Sequence, residues 1–191
     1  MTTSTTSQSF FEAMYREHAD PWSFATSEYE LSRYKAIVRA LQHRRYQRAF
    51  EPGCSVGVLT EQLAALCEHV EAMEISPTAA ARARERCGCL ANVHIACGAL
   101  PEQMPSGSFD LIVLSEIGYY FEAEELGQLS EQLLEQLQSN GVLLAEHWLG
   151  TSNDHILSGD HVHEILSGVA GLQLEHSERH EQFRLDRWIK G

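Results

Sequence analysis

Arg48-Ala49-Phe50-Glu51-Pro52-Gly53-Cys54-Ser55-Val56-Gly57 is the stretch that decides the fold. A short strand, Arg48 to Glu51, runs into a glycine turn, and a helix carrying Leu59, Leu63 and Leu66 follows. Glycines 53 and 57 suit a backbone that the polar portion of a ligand must approach closely, where a Cβ would intrude. A nucleoside cofactor is the natural occupant. The second strand, His69 to Glu74, ends on a carboxylate 17 residues after Gly57. At about that spacing an acid accepts hydrogen bonds from ribose hydroxyls. A dinucleotide fingerprint would need glycines at 53, 55 and 58, and Ser55 and Val58 stand there instead. That weakens a nicotinamide reading.

Outward from this turn the chain alternates strands and helices, which predicts an α/β fold. Ser76-Pro77 opens a helix with proline at its first position, and Arg82, Arg84 and Arg86 are expected to be solvated on it. Cys87-Gly88-Cys89 is read as the stop of that helix. A third strand is placed at Asn92 to Ala96. The run Phe109 to Ser115 is apolar enough for a strand buried on both faces. Leu126, Leu129, Leu133 and Leu137 line one side of a helix from Glu122 to Leu137, ended by Asn140-Gly141, before a strand Val142 to Glu146. Asp160 is taken as the N-cap of a helix to Val169, and Leu172 to His176 with Phe183 to Ile189 as a closing antiparallel pair. N-terminal to the turn, Phe10 to Tyr15 and a helix opened by Ser27 and Glu30 form an extension. The expectation is one domain over 1–191: a helical lid at 1–45 and a Rossmann-like core at 46–191. The core would be a sheet of about seven strands with helices on both faces.

The totals narrow the function. A chain of 191 residues builds one domain with a real core. Fourteen Lys and Arg against 27 Asp and Glu give a net charge of −13, which repels a phosphate backbone, so nucleic acid is not expected as a partner. Five scattered cysteines without a Cys-x-x-Cys pair fit free thiols in a reducing compartment. With no basic, apolar leader and no run of about 18 apolar residues, a cytoplasmic protein without a membrane partner is expected.

Glu51-x-Gly53-x-x-x-Gly57 resembles the first motif of class I S-adenosylmethionine-dependent methyltransferases, with Ser55 at the middle glycine position. The likeness extends through Asp20-Pro21-Trp22, Ser27-Glu28-Tyr29-Glu30, Ser115-Glu116-Ile117-Gly118-Tyr119-Tyr120 and His147-Trp148, which resemble the nodulation protein S family over nearly the whole chain. The resemblance implies S-adenosylmethionine as cofactor. It also implies a small-molecule acceptor, with the amine of an amino sugar or chitooligosaccharide leading by analogy. In that reading Glu51 and Gly53 face the methionine portion, in the turn with Ser55 and Gly57. Glu74 holds the ribose with Ile75 beside it. The segment from Ala96 to Leu100, with Gly98 and Ala99, flanks adenine, and Ser115 completes the cofactor side. Many relatives set an aspartate by the adenine. Cys97-Gly98-Ala99 has no carboxylate, and backbone groups are expected in its place.

Glu116, Tyr119 and Tyr120 follow the central strand and should sit at its carboxyl end. A methyl transfer needs an aligned nucleophile with a free lone pair, so Glu116 and His147 are the candidates to orient the acceptor or take its proton. Trp22, Tyr29 and Trp148 are candidate aromatic walls around a sugar or the cofactor, and Asp154 and His163 candidate acceptor contacts. His155, Asp160, His161 and His163 have ligand chemistry, but methyl transfer requires no metal and none is expected. O-methylation, a nicotinamide-dependent oxidoreductase and a non-catalytic cofactor binder remain open, as does a monomer or homodimer.

Overall fold

The structure, a computed structural model, describes residues 7–191. Among these residues no helix is long and apolar enough to cross a membrane. The described chain forms two compact units, one over Ser7–Pro105 and one over Ser106–Gly191.

The first unit holds α1 (Gln8–Glu17), α2 (Glu28–Leu41), β1 (Tyr46–Pro52), α3 (Val58–Leu63), β2 (Cys67–Glu74), α4 (Pro77–Arg86) and β3 (Val93–Cys97). Its strands are parallel, with β2 between β1 and β3. Ser27 caps α2 by accepting from the Glu30 amide, as its position suggested, and Ser76 caps α4 from the Ala79 amide at 3.1 Å. The arginines of α4 are not simply solvated. Arg82 donates to the carbonyls of Tyr15, His18 and Ala19, Arg84 to that of Ile95 and Arg86 to that of Val56. Long side chains on a short helix reach carbonyls of neighbouring segments, which the sequence pattern does not display.

The second unit holds β4 (Phe109–Ser115), a 3-10 turn (Gly118–Tyr120), α5 (Ala123–Gln136), β5 (Leu137–Trp148), α6 (Gly159–Ser167), β6 (Leu172–Arg179) and β7 (Phe183–Lys190). Here β4 and β5 are parallel, and β7 runs antiparallel between β5 and β6. Leu111, Ile112, Val113 and Leu114 are fully buried, as the apolar run required. Two boundaries differ from expectation. α5 stops at Gln136, ahead of Asn140-Gly141, because Leu137 is already extended and pairs with Phe109. The intervening residues form an irregularity before Leu111 meets Val142, and Lys190 Nζ donates to the carbonyls of Leu134 and Leu137, 2.7 Å from each. The cap of α6 is Ser158, which accepts from the His161 amide. Asp160 lies inside the first turn and pairs with Arg179.

Candidate functional site

In the Ser7–Pro105 unit two buried carboxylates flank the glycine turn. Glu51, one residue before the end of β1, and Glu74, the last residue of β2, lie on neighbouring parallel strands, with Glu51 in register with Ala72. Glu74 accepts from the Ser55 amide at 2.8 Å and from the Ser76 amide at 2.9 Å, tying the turn to the start of α4. Burial pushes its carboxyl above the ordinary range, with those amides working against the shift. Burial, with a contribution from the charge of Glu74, pushes Glu51 up to about 8. Oε2 of Glu51 is buried with no hydrogen-bond partner, a state that costs free energy until a donor arrives.

The turn itself adopts left-handed backbone at Gly53 (φ 76°), Ser55 (φ 51°) and Gly57 (φ 80°). Ser55 therefore keeps the conformation of the glycine whose place it takes. Gly57 has a second reason to be glycine: a Cβ there would come within 3.1 Å of Ala83 on α4, so it also serves helix packing. Tyr15 on α1 hydrogen-bonds Ser55 Oγ at 2.5 Å, and Gln8 donates to the Ile75 carbonyl. Trp22 packs between Tyr15 and Phe24, and Tyr29 lies under the Arg33 guanidinium.

Of the backbone groups expected to stand in for an adenine-side carboxylate, two amides are already engaged. The Gly98 amide donates to the Glu74 carbonyl and the Ala99 amide to Gln103 Oε1 at 2.8 Å. Gln103, which sequence reasoning passed over, folds back on that segment, and a Cβ on Gly98 would meet it at 3.0 Å.

In the Ser106–Gly191 unit Glu116 follows β4 in left-handed backbone (φ 61°), and its half-buried carboxylate is held at both oxygens. The Trp148 amide donates to Oε1 and the Tyr119 hydroxyl to Oε2, each at 2.6 Å. Tyr119 and Tyr120 meet edge to face, and burial raises both phenols well above their ordinary value. The ring of His155 stacks on Tyr119 with centroids 3.7 Å apart and faces Tyr120 and Trp148 edge-on. Asp154 accepts from the Ser152 hydroxyl. Ser115 donates to buried Glu146 at 3.0 Å. These contacts draw Glu116, Tyr119, Tyr120 and Trp148 into one aromatic and acidic cluster, with His155 added.

His147 is not in that cluster as a base. Its ring is fully buried, and the Gly118 amide donates to Nε2 at 3.0 Å. A nitrogen that accepts there carries no proton, so Nδ1 bears it and donates to His163 Nε2 at 3.2 Å. His163 Nδ1 in turn donates to Asp186 Oδ2 at 2.7 Å, and Arg184 pairs with the same carboxylate. His147 and His163 thus form an internal chain that fixes the Gly118 turn. Neither faces an acceptor, because both are sealed by the sheet and α6. Gly118 admits this packing, since a Cβ would meet Val162 at 2.5 Å and His147 Nε2 at 2.9 Å.

Two solved structures resemble the chain closely. A Pseudomonas syringae protein assigned as a methyltransferase is 34% identical, with a TM-score of 0.76 over 86% of this chain and 100% of that one. The N-methyltransferase NodS of Bradyrhizobium japonicum WM9, solved with S-adenosyl-L-homocysteine, is 22% identical, with a TM-score of 0.83 over 94% of this chain and 97% of that one. The fold is that of Rossmann-like class I methyltransferases, a seven-stranded mixed sheet with helices on both sides. The nodulation protein S (NodS) family profile matches residues 10–165. Nodulation protein S of Bradyrhizobium diazoefficiens is 30% identical over 139 residues, 72% of this chain and 65% of that relative. The chain belongs to the nodulation protein S family.

Proposed function

We propose that the chain is an S-adenosylmethionine-dependent N-methyltransferase whose acceptor is the amine of an amino sugar or chitooligosaccharide. The observation that carries this reading is the pair of buried carboxylates around the left-handed turn at residues 53–57. Glu51 Oε2 waits there for a donor, and the ammonium of a methionine moiety is such a donor. Glu74 keeps unused lone pairs beyond its two amide contacts, enough for ribose hydroxyls. The cofactor, when bound, supplies a methyl group on a sulfonium. The chain's own residues bind, orient and manage the proton. Family membership and the S-adenosyl-L-homocysteine bound in the Bradyrhizobium japonicum relative support the same reading.

An amine is favoured over a hydroxyl acceptor by the cluster around Glu116. Two carboxylates, Glu116 and Asp154, stand with Tyr119, Tyr120 and Trp148, a composition that suits an ammonium group and the faces of a sugar ring.

Calorimetric titration with S-adenosylmethionine and S-adenosylhomocysteine tests the cofactor half. Wild type should bind saturably, and Glu74→Gln, which keeps the side chain's size, should lose about ten- to a hundredfold in affinity, the worth of hydrogen bonds to a charged group. Absence of binding by wild type would refute the methyltransferase reading. Turnover with glucosamine and with partly de-N-acetylated chitooligosaccharides tests the acceptor half.

A further inference from the structure

His155 differs from the sealed histidines of its unit. It is half-buried, and its ring nitrogens make no hydrogen bond among the described residues. The ring lies almost flat on Tyr119, at an interplanar angle of 17°, within the cluster that also holds Tyr120 and Trp148. Its place is fixed by backbone: the amides of Ile156 and Leu157 both donate to the Tyr119 carbonyl, at 2.8 and 3.1 Å. The loop that carries the imidazole is thereby stitched to the turn that carries the tyrosines.

Glu116 is fixed at both oxygens, by the Trp148 amide and the Tyr119 hydroxyl, and Asp154 accepts from the Ser152 hydroxyl, so hydrogen bonds already hold both carboxylates in place. His147 accepts from a backbone amide. The two tyrosines stay protonated, since burial disfavours their phenolates.

We infer that His155 is the catalytic base that takes the proton from the acceptor ammonium. The inference rests on the methyltransferase reading above. The acceptor R–NH3⁺ gives one proton to a ring nitrogen of neutral His155, leaving R–NH2 and an imidazolium. The freed lone pair forms the N–C bond as the C–S bond of the sulfonium breaks, its electron pair staying on sulfur. The products are R–NH2⁺–CH3 and a neutral thioether, and the imidazolium returns its proton to water. Burial lowers the basicity of His155, so the ring is neutral at pH 7, while the charges of Asp154 and Glu116 favour the imidazolium once it forms. Tyr119 and Tyr120 are the remaining titratable groups against the ring, and both are neutral.

The test compares wild type with His155→Phe, which preserves the stack, and His155→Gln, which preserves polarity. With glucosamine or a de-N-acetylated chitooligosaccharide as acceptor, kcat should fall about a hundredfold or more in both variants. S-adenosylhomocysteine affinity should be unchanged. The low-pH limb that His155 gives wild-type kcat/KM should vanish in the variants, leaving only the acceptor's own limb, and added imidazole should restore part of the rate. Variants within threefold of wild type with the same limb would overturn the assignment. A second measurement is independent of turnover. In S-adenosylhomocysteine-saturated protein, the His155 ring signals in a histidine-labelled NMR sample should move on titration with glucosamine, and signals that stay fixed overturn the role of His155. Failure of the methyltransferase reading would show separately, as absent cofactor binding by wild type.

Discussion

Glu116 holds a backbone conformation that costs a side-chain-bearing residue about 1–2 kcal/mol, at φ 61°. The site offsets that cost through two short hydrogen bonds, from Trp148 and Tyr119. Strain of this kind persists because fixed partners hold it in place. Tyr119→Phe keeps the ring that stacks on His155 and removes only the hydroxyl. Turnover should drop about tenfold, the worth of one charge-assisted hydrogen bond, with cofactor affinity unchanged. Steady-state kinetics beside calorimetry would check this, and an equal loss of cofactor affinity would contradict the role given to Glu116. Residues differ in how far sequence disclosed them. Glu74 was legible because strand, turn and helix fix its distance from Gly57. His155 was not, because its position depends on a loop folding back to the Tyr119 carbonyl. His147 looked reactive at a strand end, and only burial and the Gly118 amide reveal that its acceptor nitrogen is spent.

Two helices of the first unit are tied at both ends. Glu12 of α1 accepts from the Ser76 hydroxyl and from the amide and hydroxyl of Thr78, at the N-terminus of α4. Arg82 of α4 donates to three carbonyls in and just past the last turn of α1. Each charge therefore meets the helix end whose dipole it complements. The hydrogen bonds from Ser76 and Thr78 lower the Glu12 carboxyl from 4.5 to about 2. Since the docked state binds fewer protons, its contribution is complete above about pH 4.5 and is lost as pH falls through about 2. Because Tyr15 on the same helix meets Ser55, this latch holds α1 over the turn at residues 53–57. In Arg82→Met the amides of Gln8–Glu17 should exchange about tenfold faster, while those of β1 and β2 keep their protection. Hydrogen exchange read by mass spectrometry decides it, and unchanged exchange in α1 would remove the latch. The sequence showed α4's cap through Ser76-Pro77. It could not show the latch, whose partners are 66 and 67 residues apart in the chain.

At the scale of the whole molecule, the chain carries a net charge of −13 and still buries two carboxylates around the turn at residues 53–57. The strand-turn-helix signature and apolar runs made the α/β fold legible, because periodicity and turn chemistry are local. The ionisation of Glu51 was not, since it depends on burial and on Glu74. With its carboxyl at about 8, Glu51 is mostly protonated at pH 7 in the ligand-free protein. The raised value also means that burial disfavours the folded state progressively as pH rises from 4.5 through about 8. An ammonium placed beside Oε2 favours the carboxylate, so binding should lower that value and expel a proton. At pH 7, titration of S-adenosylhomocysteine into wild type in buffers of different ionisation enthalpy should report release approaching one proton per site. Repeating it above pH 9 should abolish most of the release, because Glu51 is already ionised, and affinity should rise with pH up to about 8. Glu51→Gln should bind more weakly at pH 7, with little buffer dependence there. The sulfonium plays no part in this comparison, because the ammonium is the only positive charge that S-adenosylhomocysteine, a thioether, keeps. Heat that does not vary with buffer in wild type would therefore remove Glu51 from the methionine end of the site.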